Sequence, residues 1–67
     1  SMDEVRITMN DLRRAGHCAS GIKAFFSRHD VSLRKLAREG VTLEEVAHIK
    51  DANLDRVIEM AKERTNG

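Results

Sequence analysis

The chain is poor in the residues that many small folds depend on. Its 67 residues include no proline, no tryptophan and no tyrosine, only one cysteine and only two phenylalanines. A single cysteine excludes an intramolecular disulfide, and with it the class of disulfide-stapled secreted domains. No apolar run approaches the roughly 20 residues that a helix needs to cross a bilayer. Residues 2–15 mix charged and apolar side chains, unlike a secretory signal peptide. We therefore expect a protein of a reducing cytoplasm.

The length allows one small domain over residues 1–67. Ser1 before Met2 has the form of a remnant of tag removal, and residues 65–67 are expected to fray. Apolar residues make up 40% of the chain and charged residues 34%, a balance that favours a folded chain over a disordered one.

The local pattern predicts an all-α fold, a compact bundle of four or five short helices. Capping residues indicate where helices begin: Thr8 with an acidic residue three positions later, then Ser32, then Thr42 in a full capping box. Gly16 and Gly40 indicate where the first and third helices end, because glycine adopts the left-handed cap conformation without steric cost.

A helix over residues 19–29 is predicted to lie at the centre of the bundle. Adjacent helical residues point about 100° apart, so both phenylalanines can be buried only if this helix is surrounded on two sides. Residues 3–7 alternate polar and apolar side chains and are predicted to be extended, with Val5 and Ile7 pointing inward. The predicted core consists of Phe25, Phe26, Leu36, Val46 and Val57.

The last third of the chain has two interpretations. Apolar residues over 43–64 fit one continuous heptad stripe, interrupted by Lys50. Alternatively, Lys50 and Asp51 form a turn, and a fifth helix covers residues 52–64. The second interpretation is favoured, because Asp51 is a turn former and Asn53 is a poor residue for a helix interior.

Neither metal binding nor catalysis is indicated by the side chains that could support it. The available soft ligands are His17, Cys18, His29 and His48, which lack the closely spaced pairs typical of zinc sites. Cys18 beside His17 could form a thiolate pair, but a triad also needs a third orienting group and a substrate pocket. We expect no metal, no cofactor and no enzymatic activity, and we expect Cys18 to be a small core residue.

Charge is unevenly distributed along the chain. Residues 1–38 carry a net charge of +4 and residues 39–67 a net charge of −3. Such an asymmetry can orient a charged partner, or a second copy of the chain. Binding to a membrane surface is not expected, because the two phenylalanines are needed in the core. The candidate partner-binding residues are Arg13, Arg14, Lys23, Arg28, Arg34, Lys35 and Arg38.

Residues 42–61 resemble a helix-turn-helix, which makes DNA binding the alternative function. Ala47 takes the position where that motif packs a small residue between its helices, and Val57 lies on the inner face of the second helix. Asp51 stands in place of the usual turn glycine, and two acidic residues accompany the candidate base-contacting residues, whereas DNA-facing helices are usually basic. The candidate DNA-binding residues are Asn53 and Arg56.

The segment over residues 15–29 resembles a pattern in small proteins of tailed bacteriophages and prophages, Ala-Gly-x-Cys-x-x-Gly-x-x-x-Phe-Phe-x-x-His. The likeness extends over about residues 7–61. It implies an accessory or virion-associated role and carries no defined activity. Its signature positions are Cys18, Gly21, Phe25, Phe26 and His29. As scaffold, Gly21 would permit close approach of a second helix, and His29 would cap the C-terminus of its own helix.

Together these features predict a non-enzymatic protein-interaction module encoded by a phage or prophage, acting in virion assembly or on a host factor. The expected partner is another protein, of phage or host, or a second copy of the chain. The expected location is the cytoplasm of the host cell or the virion. The alternative is a small helix-turn-helix regulator using residues 42–61.

Overall fold

Five helices and two short strands make up residues 5–66, the part of the chain that the computed structural model describes. In chain order they are β1 (Arg6–Ile7), α1 (Met9–Arg14), α2 (Ala19–Arg28), α3 (Leu33–Arg38), β2 (Val41–Thr42), α4 (Leu43–Val46) and α5 (Ala52–Asn66). The prediction of a small, mainly helical domain is confirmed. The interpretation of Ser1 as a tag remnant lies outside the described residues. Across residues 5–66, no helix combines the length and the apolar character needed to cross a membrane.

The prediction of a purely helical fold is wrong in one respect, because β1 and β2 form a two-stranded antiparallel sheet. Arg6 pairs with Thr42, and Ile7 pairs with Val41. Ile7 and Val41 are both fully buried, so the apolar alternation at the start of the chain had predicted the inward side correctly. The partner strand was missed because its two residues also lead into the capping box of the next helix.

Gly40 makes this strand pairing possible. Its φ is +86°, and a Cβ atom added there would lie 3.0 Å from the carbonyl oxygen of Ile7 and 3.2 Å from Cβ of Arg6. The glycine therefore ends α3 in the predicted way and also lets two backbones approach closely.

Side-chain caps fix the starts of four helices, three of them predicted. Thr8 and Thr42 form complete capping boxes with Asp11 and Glu45, and Ser32 accepts a hydrogen bond from the backbone N–H of Lys35 at 3.0 Å. Asp51 caps α5: its Oδ1 accepts from the backbone N–H of Leu54 at 3.0 Å. The favoured break before the fifth helix is therefore confirmed.

The last helix, α5, extends through Asn66. Whether residues 65–67 fray stays a prediction. The hydroxyl of Thr65 donates to the carbonyl oxygen of Ala61 at 2.9 Å, one turn earlier in the same helix.

The core lies where the helices and the small sheet meet. Of the predicted core residues, Phe26, Leu36, Val46 and Val57 are buried, whereas Phe25 is only half-buried. The central helix is thus covered on one side, not on two. Eight further residues complete the core: Ile7, Leu12, Val31, Ile22, Val41, Ile49, Leu54 and Ala61.

One buried carboxylate connects the first helix, α1, to the last helix, α5, through hydrogen bonds. Asp11 is fully buried and accepts two hydrogen bonds from the Arg64 guanidinium, both at 2.9 Å. Nη2 of Arg64 also donates to the carbonyl oxygen of Arg6 at 2.9 Å. Burial by itself raises the pKa of Asp11, but the hydrogen bonds from Arg64 and Thr8 outweigh it and hold that pKa below its ordinary value. We call this arrangement of Arg6, Thr8, Asp11 and Arg64 the terminal clamp.

Candidate functional site

An open groove of about 450 Å³ lies between α2 and the first turns of α5. We call it the α2–α5 groove. The turn that leads into α2 closes one side of it. Its floor consists of buried apolar residues: Leu12, Ile22, Phe26, Leu54 and Val57. Its size falls in the range of ligand-binding clefts. The floor residues are at most 5% exposed, so almost all of their surface is packed within the core.

Phe25 and Arg28 form the α2 rim of this groove. The Phe25 ring is half-buried and lies 4.7 Å from the ring of His29, measured between centroids. The Arg28 guanidinium lies 5.7 Å from the centroid of the Phe25 ring, because residues three apart share one face of a helix. Within residues 5–66, no carboxylate lies within ion-pair distance of Arg28.

Asp51 and Asn53 form the opposite rim, at the start of α5. The Asp51 carboxylate is engaged as the helix cap, where the partial positive charge of the helix N-terminus stabilises it. Asn53 is exposed. This rim therefore presents a carboxylate already committed to its own helix and a neutral amide.

Cys18 lies on the groove wall and is exposed, which corrects the expectation that it belongs to the core. It occupies the N-cap position of α2, and its Sγ lies 3.6 Å from Oγ of Ser20. The hydrogen bond from Ser20, and then the backbone N–H of Gly21, hold the pKa of the Cys18 thiol below its ordinary value. At the N-cap of α2 the side chain points out of the bundle. The residue type alone, an apolar cysteine, had predicted burial.

The histidines lie apart from one another along the fold. His17 is half-buried beside the groove, and His29 takes the predicted C-cap position of α2. His48 is exposed, and its Nε2 lies 2.9 Å from the carbonyl oxygen of His29. Among residues 5–66, no three side chains of the histidine, cysteine, aspartate or glutamate type are grouped so as to hold a metal ion.

Gly21 differs from its expected scaffold role. It is exposed on α2, and a Cβ added there would meet only Sγ of Cys18, at an ordinary contact distance of 3.5 Å. Within residues 5–66, no atom of a second helix lies within 4 Å of that added Cβ. Gly21 lines the groove, and because it has no side chain it does not narrow the opening.

The seven candidate basic residues are spread over several surfaces. Arg28 lies on the α2–α5 groove, whereas Arg13 and Arg38 line a second, shallower groove of about 360 Å³ between α1 and α3. Lys23 and Arg34 are exposed on α2 and α3.

The other two basic residues have carboxylate partners. Nη2 of Arg14 lies 4.0 Å from the Asp11 carboxylate. Nζ of Lys35 donates to Glu45 at 2.6 Å, and this hydrogen bond, together with that from the backbone N–H of Thr42, holds the pKa of Glu45 below its ordinary value. These two side chains are less available to a partner than the remaining five.

The DNA-binding candidates lie on one helix, but the helix before it is short. Asn53 and Arg56 are both exposed on α5. The break at Asp51 gives the two helices that the motif needs, yet α4 spans only Leu43–Val46. Ala47 is exposed instead of packed between two helices.

The chain matches no family model, no curated protein and no solved structure.

Proposed function

We propose that this chain is a non-enzymatic protein-interaction module of phage or prophage origin, which receives a segment of another protein in the α2–α5 groove. Virion assembly and the binding of a host factor are the two roles that fit such a module. The observation that carries the proposal is the groove itself, an open cleft of about 450 Å³ between α2 and α5 with the half-buried Phe25 on its rim. In so small a domain, a cleft that the fold leaves unfilled is a natural place for a partner.

The phage-like segment supports the same site. Four of its five signature positions line the groove: Cys18, Gly21, Phe25 and Phe26. The fifth, His29, packs its ring against Phe25. The residues that carry the resemblance are therefore those that shape the cleft, and only Phe26 among them is a core residue.

The groove also favours a binding role over a catalytic one. The Cys18 thiol makes its side-chain hydrogen bond with Ser20, not with His17. A nucleophile needs a base within hydrogen-bond reach and a third group to orient that base. An open cleft whose thiol is hydrogen-bonded to a serine fits recognition of a peptide segment better.

A matched pair of variants on α2 tests the proposal. Gly21→Leu places a large side chain on the groove wall, while Ala24→Leu adds the same side chain at an exposed position of the same helix that does not line the groove. Wild type and both variants are immobilised and exposed to a lysate of bacterial cells. We expect proteins that are retained by wild type and by Ala24→Leu but lost with Gly21→Leu. Identical retention by all three proteins would contradict the groove as the binding site.

The helix-turn-helix alternative rests on one favourable observation, the exposed pair Asn53 and Arg56 on a helix that begins after a true break. A labelled random DNA duplex, titrated at low and moderate salt, separates the two functions. Binding that falls steeply with salt and is lost in Arg56→Ala would favour the regulator. The protein-binding module predicts no binding to DNA at low salt.

A further inference from the structure

We draw no further inference here: the strongest candidate, the shallower groove between α1 and α3 with the exposed Arg13 and Arg38 among its lining residues, carries none because nothing in the structure shows what covers it.

Discussion

The two ends of α5 have opposite surroundings. At its C-terminal end, Arg64 is held by the terminal clamp, and the buried Asp11 has every hydrogen bond it needs. At its N-terminal end, Leu54 and Val57 line the bottom of the α2–α5 groove and are at most 3% exposed. One helix therefore has a polar attachment at one end and forms one wall of an open cleft at the other. The hydrogen bonds of Arg64 hold α5 in place at its C-terminal end. The wall that α5 gives to the groove is therefore fixed in position.

The adjacent phenylalanines give the largest expected contrast between core and groove. Phe26 is 1% exposed, so Phe26→Ala should destabilise the domain by about 3–5 kcal/mol. Phe25 lies on the rim, so Phe25→Ala should cost only about 1 kcal/mol. Urea unfolding followed by circular dichroism measures both. Equal losses would mean that Phe25 belongs to the core and that the groove is not open at this position.

The terminal clamp gives the second contrast, along α5 itself. Arg64→Ala leaves Asp11 buried without its partner and should cost about 2–3 kcal/mol. The figure is below that of a fully buried pair because the Arg64 side chain is 39% exposed. Arg56→Ala removes an exposed arginine from the same helix and should change the free energy of unfolding by less than about 0.5 kcal/mol.

The pH dependence identifies the source of the Arg64 effect. The pKa of Asp11 is lowered by folding, so its contribution is complete above its ordinary value of 3.8 and is lost as the pH falls through the lower folded value. The difference in unfolding free energy between wild type and Arg64→Ala should therefore be constant at neutral pH and shrink in acid. A difference that persists unchanged as the pH falls far below 3.8 would mean that Arg64 acts through packing alone.

Two glycines give the smallest and most local contrast. At Gly40 a Cβ would press on the carbonyl oxygen of Ile7, and the positive φ adds strain, so Gly40→Ala should cost about 1–2 kcal/mol. At Gly21 there is room and an ordinary helical backbone, so Gly21→Ala should stabilise the domain by about 0.5 kcal/mol. Thermal unfolding midpoints of the two variants should move in opposite directions. A lower midpoint for Gly21→Ala would show that this glycine has a structural role.

The features predicted correctly from the sequence are those determined by neighbouring residues. Thr8, Ser32 and Thr42 cap their helices as expected, and Asp51 ends one segment and begins another. Each of these signals spans three or four residues, so nothing distant is needed to interpret it. Four of the five predicted core residues follow from helical periodicity in the same way.

The features missed depend on residues far apart in the chain. The pairing of β1 with β2 joins segments more than thirty residues apart, and the clamp joins Asp11 to Arg64 across 53 positions. The groove was missed for the same reason, since its two walls come from α2 and α5. Cys18 was misplaced because its residue type indicates burial while its position, at a helix N-cap, determines exposure.

The bond between Arg64 and the backbone of Arg6 brings the two ends of the described chain to one place on the molecule. A fluorophore, an affinity tag or a fused domain would therefore leave the protein from the same side, whichever end carries it. A short flexible linker between those ends would close the backbone into a ring, and new termini could then be opened in an exposed turn without changing the order of the packed elements.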